Sequence, residues 1–261
     1  MAKLPSAEFG FLARHERSAT GLNSLQPIVS LLIVVLVWQL ISLRYPPFIL
    51  PGPGLVTQRF VEKIADGTLP FHAWITFSEA ALGLAAGTFV ALVAGYVVAK
   101  SRFAERVLSP FIVASQGIPF IAVAPLVFIW FGNGLPAKVL LCATIVFFPV
   151  LINVAAGLRS VPQPLRDLFA LNTATLWQIF SKLEVPAALP TLVAGLRVGC
   201  TLSVIGAIAA EFVSSTRGLG FLISQGNNFY DTPLVMVGVI SIMVMAMLFY
   251  ATAGLLGRLH M

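Results

Sequence analysis

Three ionisable side chains interrupt otherwise apolar stretches of the sequence: Glu79, Arg197 and Glu211. A charge in an apolar medium is costly unless it is paired, hydrogen-bonded or hydrated. Glu79 and Arg197 therefore either make internal ion pairs and hydrogen bonds, or line a water-filled path for a solute. Glu211 lies shortly before Arg217, and we expect these two side chains to form a local ion pair.

Residues for catalysis are scarce. His15, His72 and His260 are not spaced as metal ligands, and the sequence has neither H-E-x-x-H nor G-x-S-x-G. It has no Gly-Lys dipeptide, which excludes a Walker A phosphate loop. An intramembrane enzyme would need clustered Asp or His at the membrane surface, and the sequence has no such cluster. We predict no catalytic residue, no metal site and no cofactor.

The composition is that of a membrane protein. Only 10% of the residues are charged and 58% are hydrophobic, whereas soluble domains carry roughly 25% charged residues. Apolar segments of about 20 residues each predict transmembrane helices. We therefore expect an all-α polytopic membrane protein with one domain over 25–261 and six spans, near 25–43, 73–99, 107–131, 138–158, 187–212 and 233–256.

Lysine and arginine counts set the expected orientation. With the N-terminus inside, the inner segments carry ten of these residues and the outer segments five. Both termini, including a tail over 1–24, are therefore expected in the cytoplasm. This topology also accounts for the net charge of +6 without a nucleic acid partner. The third span contains Gly117, Pro119 and Pro125, so we expect it to be kinked or partly unwound.

A charged, amphipathic insert at 165–190 must protrude on the inner side, because apolar segments flank it. It is predicted to form two short helices, with Asn172 in a left-handed conformation at the break. Thr175 and Gln178 predict a capping box for the second helix. Two prolines are expected to end that helix and open the next span, Pro186 and Pro190.

The insert and several flanking motifs resemble one known family. The insert resembles the coupling loop of bacterial ABC importer permeases, whose pattern is roughly E-A-A-x-x-x-G. The matching residues are Asp167-Leu168-Phe169 and Thr173, and the insert ends with VPAALP (185–190). The likeness continues in the expected order through LPGPGLV (50–56), IPFIAVAPLVFIWFG (118–132), FFPVLINVAAGLRSV (147–161), AGLRVG (194–199), AEF (210–212) and RGLGFLI (217–223). These motifs are similar to those of the nitrate, sulfonate and taurine permease group.

The resemblance implies a type I permease fold of six helices, with a cytoplasmic coupling helix pair in a loop over 159–186. Two copies would form the path in the bacterial inner membrane, each docked to a separate ATPase subunit, and an extracytoplasmic binding protein would deliver cargo. The implied ATPase-contact residues are Asp167, Leu168, Phe169, Ala170, Asn172, Thr173 and Trp177. Here Asp replaces the Glu of the motif, Leu-Phe replaces its alanines, and Thr173 replaces its glycine, so Asn172 is expected to supply the special backbone angle.

Path and cargo are less constrained. The candidate lining residues are Glu79, Ser115, Gln116, Phe120, Asn153, Arg197 and Ser203. Polar residues at these depths equally suit interhelical hydrogen bonds. LEVPAALP and the loop ending YDTP look most like permeases for heterocyclic vitamins, riboflavin or the pyrimidine precursor of thiamine. The alternatives are a permease for aliphatic sulfonate, taurine or nitrate and, more distantly, a stand-alone secondary transporter, which the lack of two similar halves disfavours.

Overall fold

Helices account for all regular structure in the described part of the chain. The computed structural model describes residues 26–258, except the side chains of residues 27, 116 and 256–258. The helices are α1 Gln26–Ser42, α2 Pro53–Ala65, α3 Thr68–Lys100, α4 Arg102–Gln116, α5 Phe120–Phe131, α6 Leu135–Arg159, α7 Gln163–Leu171, α8 Leu176–Ile179, a π-helical segment Phe180–Glu184, α9 Val185–Ser214, α10 Leu219–Asn228 and α11 Thr232–Arg258. The all-α prediction is confirmed.

The centre of the bundle is formed by α3, α6 and α9, which pack closely through small residues. A Cβ atom added at Gly83 would lie 2.1 Å from Cβ of Cys142, and one at Gly195 would lie 2.6 Å from Cβ of Asn153. Such contacts let helices approach where lipid offers no hydrophobic driving force. Cys142 and Cys200 are both buried free thiols, which agrees with a packing role.

Within the described residues, four continuous helices are long and apolar enough to cross a bilayer: Thr68–Lys100, Leu135–Arg159, Leu176–Ser214 and Thr232–Leu255. The predicted third span corresponds to α4 and α5, which are bent by 102° at the Gly117–Pro119 break, so its predicted interruption is confirmed. The predicted first span corresponds to α1, an apolar helix of 17 residues in the described range. The tail over 1–24 lies outside the described residues.

The predicted end of the second insert helix at Pro186 and Pro190 is wrong. From Leu176 to Ser214 the chain is one continuous helix of 39 residues. Proline removes one helical N–H bond and crowds the carbonyl four residues earlier. The helix widens into a π-turn, Phe180–Glu184, immediately before Pro186, and π-turns of this kind accommodate local strain and occur frequently at functional sites.

At the end of the bundle opposite α7, α2 is attached to the connection between α10 and α11. Arg59 on α2 forms an ion pair with Asp231, whose other oxygen accepts a hydrogen bond from the N–H of Leu234 in the first turn of α11. At the other end of α2, hydrogen bonds from Lys63 and from Thr68 lower the pKa of Asp66 to about 2. The Arg59–Asp231 ion pair attaches α2 to the α10–α11 connection, whereas the contacts of Asp66 are local to the turn between α2 and α3.

Candidate functional site

The helix pair between α6 and α9 projects from the bundle and exposes apolar side chains. We call residues 160–184 the knob. No residue of α7 is buried, and Leu168, Trp177 and Leu176 are 51%, 72% and 86% exposed. Large apolar side chains grouped on a protruding element are typical of a surface that a partner covers. Of the seven predicted contact residues only Phe169 is half-buried; the other six, Asp167, Leu168, Ala170, Asn172, Thr173 and Trp177, are exposed.

The turn between α7 and α8 differs from the prediction in one residue. Asn172 has φ −83°, within the ordinary range, whereas Thr173 has φ +52° and is the left-handed residue. Thr173 occupies the position that matches the glycine of the coupling-loop pattern. The backbone therefore retains the conformation typical of glycine there, although a β-branched side chain makes it unfavourable.

Glycine substitutions at these two positions should shift stability in opposite directions. We expect Thr173→Gly to raise the thermal unfolding temperature slightly, because a left-handed L-residue costs about 1–2 kcal/mol. Asn172→Gly should lower it, because glycine without a conformational need costs about 0.5–1 kcal/mol. Unfolding in detergent followed by tryptophan fluorescence measures both shifts. If Asn172→Gly raised the unfolding temperature and Thr173→Gly lowered it, Asn172 would be the left-handed residue.

The predicted capping box of α8 is confirmed. Oγ1 of Thr175 accepts a hydrogen bond from the N–H of Gln178 at 3.3 Å. Oε1 of Gln178 accepts one from the N–H of Thr175 at 2.8 Å. These reciprocal bonds satisfy two of the donors that a helix start leaves free. They hold the start of α8, and with it Trp177, in a defined position.

A buried carboxylate joins the knob to the bundle. Glu184, at the end of the π-helical segment, is fully buried. Its Oε1 accepts hydrogen bonds from Nζ of Lys100, at the end of α3, at 2.5 Å and from Nη1 of Arg166, on α7, at 3.0 Å. Nη2 of Arg166 also donates to the carbonyl of Leu158 on α6 at 2.8 Å. One carboxylate thus connects α7 with the ends of three long helices.

Sequence reasoning did not identify Glu184. The available signal was an acidic residue at the start of a long apolar helix, with basic residues predicted on the same side of the membrane. Arg159 reinforces the same end of the bundle, since it forms an ion pair with Glu105 and donates to the carbonyl of Val98 at 2.7 Å.

At the opposite end of the bundle, Glu79 lies in a buried ion pair. Its Oε1 accepts a hydrogen bond from Nζ of Lys138 on α6 at 2.6 Å, and both side chains are buried. Nζ of Lys138 also donates to Oγ of Ser215 at 2.8 Å. The internal ion pair expected as one possibility for Glu79 is therefore formed, and a role of Glu79 in lining a path stays a prediction.

The expected ion pair between Glu211 and Arg217 is not formed. Glu211 is buried and accepts hydrogen bonds from Oγ1 of Thr76 at 2.6 Å and from the N–H of Gly220 at 2.5 Å. That N–H belongs to the first turn of α10, where a helix favours negative charge. Arg217 is exposed instead and lies 5.8 Å from the ring centre of Phe71.

The loop before α10 is bound tightly to α3. The N–H of Gly218 donates to Nδ1 of His72 at 2.9 Å, and the N–H of Leu219 donates to Oγ1 of Thr76 at 2.8 Å. Gly218 has φ +112°, a conformation that strongly favours glycine. The AEF and RGLG motifs therefore form one unit in which α3, α9 and the start of α10 are joined by hydrogen bonds.

A polar cavity of about 870 Å³ opens beside this unit. The ion pair Glu79–Lys138 and Glu211 lie on one side of it, and polar side chains of α10 lie on another. Among the predicted path residues whose side chains are described, Glu79 alone lines this cavity. The cavity lies at the end of the bundle away from the knob.

The other predicted path residues lie elsewhere. Three of them donate hydrogen bonds to carbonyls of their own helices: Ser115 to Ile112, Asn153 to Pro149 and Ser203 to Cys200. Phe120 is half-buried, and the side chain of Gln116 lies outside the described residues.

Arg197 differs from these residues because one of its buried N–H donors has no partner among the described residues. Its guanidinium lies 5.5 Å from the ring centre of Tyr250 on α11. Its Nε is buried and has no hydrogen-bond partner among the described residues. A path role for Arg197 remains a prediction.

Comparisons with known proteins agree with this architecture. Residues 83–260 match the family described as binding-protein-dependent transport system inner membrane component. The riboflavin transport system permease protein RibX of Chloroflexus aurantiacus is 41% identical over 95% of this chain and 91% of its own length. The formylaminopyrimidine transport permease protein ThiX of Halalkalibacterium halodurans is 30% identical over 88% and 92%. A putative aliphatic sulfonates transport permease protein, SsuC of Bacillus subtilis, is 32% identical over 87% and 83%.

A solved structure shares the fold. A chain of the MetNI methionine ABC transporter in an inward-facing conformation superimposes with a TM-score of 0.64 at 21% sequence identity. The match covers 73% of this chain and 94% of that one.

Proposed function

The chain belongs to the family of binding-protein-dependent transport system inner membrane components, and on that premise we propose that it forms the membrane path of an importer for a heterocyclic vitamin or vitamin precursor. It is a permease subunit of an ABC importer and is itself no enzyme. A separate subunit therefore hydrolyses ATP.

The knob is the proposed docking surface for that ATPase. Its exposed apolar residues Leu168 and Trp177 are suited to a hydrophobic groove on a partner, because an amphipathic helix needs no catalytic group to bind in this way. The full contact set proposed is Asp167, Leu168, Phe169, Ala170, Asn172, Thr173 and Trp177. ATP-driven closure of two ATPase subunits would move the knobs and switch the access of the path.

The proposed orientation has the knob and both termini in the cytoplasm. It is supported by Lys100, Arg159 and Arg166, which lie at the knob end of the bundle, because basic residues are enriched on the cytoplasmic side. Two copies of the chain would enclose the path, and a binding protein would dock on the opposite, extracytoplasmic end. The spans would be those of the four long helices, the α4–α5 pair and α1.

Cargo chemistry is proposed from two observations. RibX is 41% identical to this chain, whereas the sulfonate permease SsuC is 32% identical. The cavity is lined by two cations, Lys138 and Arg217, and two carboxylates, Glu79 and Glu211, so its formal charges cancel. An anion path would need an excess of cationic groups to attract the anion. A neutral riboflavin-like or pyrimidine cargo therefore fits better than a sulfonate, taurine or nitrate ion.

The docking proposal is tested by Leu168→Glu. We expect a loss of about tenfold or more in the amount of ATPase subunit that co-purifies with the permease, because a charge would enter a desolvated apolar contact. Leu168→Met keeps size and apolar character at the same position and serves as the control. Equal recovery of the ATPase with the unaltered protein, Leu168→Met and Leu168→Glu would contradict docking at this surface.

The cargo proposal is tested by uptake in proteoliposomes containing the assembled transporter and its binding protein. ATP-dependent uptake of radiolabelled riboflavin should be saturable and unaffected by a large excess of taurine. Uptake of taurine in the same vesicles, without uptake of riboflavin, would assign the protein to the sulfonate and taurine group.

A further inference from the structure

The polar cavity combines a suitable position with a suitable size for a small organic solute. It lies at the end of the bundle away from the knob, between the start of α3, the start of α6, the end of α9 and α10. Its volume of about 870 Å³ falls within the range of cavities that bind drug-sized ligands, about 300–1,000 Å³. If the knob faces the ATPase, this cavity is on the side at which a binding protein releases its cargo.

The cavity contains polar groups that the protein does not use. Asn133, Gln225 and Asn228 line it, and within residues 26–258 their side-chain amides make no hydrogen bond. Each amide offers a donor and an acceptor. By contrast, the hydroxyl of Ser78, another lining residue, is already bonded to the carbonyl of Ile75 at 2.8 Å. Free amides in a concave site are the groups that orient a polar ligand.

Aromatic side chains accompany these amides. Phe212, Phe221 and Phe229 all line the cavity, and Phe229 is 75% exposed. Exposed ring faces favour stacking with a planar heterocycle, and such contacts are worth about 0.5–1.5 kcal/mol beyond the buried area. A small sulfonate or nitrate ion would gain nothing comparable from them.

The charges beside the cavity are nearly balanced, and one acceptor is left over. Lys138 pairs with Oε1 of Glu79, while Oε2 of Glu79 is buried without a hydrogen-bond partner among the described residues. The other two charged residues that line the cavity, Glu211 and Arg217, are also of opposite sign. A neutral ring would therefore occupy the cavity without leaving an unpaired charge.

We propose that this cavity is a cargo-binding site of the permease, which takes a neutral, planar heterocycle by hydrogen bonds to Gln225 and Asn228 and by stacking on its phenylalanine rings. The inference rests on the proposed importer function and adds to it a specific site within one subunit. The cargo would occupy the site after leaving the binding protein and before entering the membrane path.

Two alanine variants and a matched control test the site. Gln225→Ala and Asn228→Ala each remove one uncommitted amide, whereas Asn227→Ala removes an exposed amide on the same helix outside the cavity. Riboflavin is the probe, and quenching of its fluorescence is titrated with the permease–ATPase complex in nanodiscs. We expect saturable quenching with the unaltered protein and with N227A, and binding about five- to tenfold weaker in Q225A and N228A.

Cysteine protection gives a second readout that does not depend on the affinity measurement. The native thiols are buried, so introduced cysteines dominate labelling by a membrane-impermeant maleimide. Labelling of Gln225→Cys and Asn228→Cys should be slowed by riboflavin, while labelling of Asn227→Cys should not.

The possible failures are distinguishable. Three outcomes would overturn the cavity proposal. They are identical quenching midpoints in all four proteins, equal labelling with and without riboflavin, and no saturable quenching in the unaltered protein. If the ATPase still co-purifies and its hydrolysis is still stimulated by the binding protein, the importer function stands despite that result. Failure of the ATPase to assemble would instead overturn the proposed function.

Discussion

Replacing Glu184 with glutamine should abolish most transport while the ATPase subunit stays bound. The variant keeps the size of the side chain but removes the negative charge that holds Lys100 and Arg166 together. Two neighbouring cations would then repel each other, and each hydrogen bond to a charged group is worth about 1.5–3 kcal/mol, less where the partner is partly exposed. Because no residue of α7 is buried, these polar contacts are its main attachment to the bundle.

The measurement compares two quantities in the same preparation. We expect uptake per ATP hydrolysed to fall about tenfold or more in Glu184→Gln, with co-purification of the ATPase unchanged, because the exposed docking surface is not altered. The control is Lys182→Gln, which removes a charge two residues before Glu184. The side chain of Lys182 is exposed and makes no hydrogen bond among the described residues.

A double-mutant cycle identifies the contact responsible. If Arg166 acts through Glu184, then Arg166→Met should reduce uptake strongly alone and add little in the Glu184→Gln background. Additive losses, or uptake per ATP equal to that of the unaltered protein, would show that the knob transmits motion by another route. Loss of the ATPase together with uptake would indicate a purely structural role.

Replacing Gly218 with alanine should have the largest effect on stability. A Cβ at this position would lie 2.1 Å from Oε1 of Glu211, and the backbone has φ +112°. The conformation alone costs an L-residue about 1–3 kcal/mol. The overlap would in addition displace Glu211 from Thr76 and Gly220, which would leave a buried carboxylate without partners. We expect a total loss of about 4 kcal/mol, among the largest single-residue effects.

Gly67 is the matched control for this substitution. It also has a positive φ, +76°, but a Cβ added there would have no atom within 4 Å. Gly67→Ala should therefore cost only the conformational part, about 1–2 kcal/mol. Thermal unfolding of both variants in detergent compares the two costs directly. Equal losses would mean that Glu211 does not occupy the space beside Gly218 in the folded protein.

Sequence patterns correctly predicted features that depend on neighbouring residues. The apolar segments predicted the long helices, and the glycine and proline residues at 117–119 predicted the break between α4 and α5, now seen as a bend of 102°. Thr175 and Gln178 predicted the capping box. The break and the capping box are each decided within about one turn of helix, and a span is decided by its own run of about 20 apolar residues. In all three cases the local sequence contains the necessary information.

Two backbone details were predicted incorrectly, and packing explains the second of them. Asn172 is the better residue for a left-handed turn, yet Thr173 adopts that conformation. Pro186 is a helix breaker in isolation, yet the helix continues through it by way of a π-turn. Local preferences of about 1–3 kcal/mol are small beside the packing of a long helix in a bundle.

The sequence by itself determined that this is an α-helical membrane protein with a protruding amphipathic helix pair and little catalytic chemistry. Only the tertiary structure decided which partner each buried carboxylate binds. Glu79 binds Lys138 across 59 residues of sequence, Glu184 binds Lys100 across 84, and Glu211 binds Thr76 across 135. In a bilayer a buried charge must find a partner, but the partner is set by which helices pack together, and no local pattern records that choice.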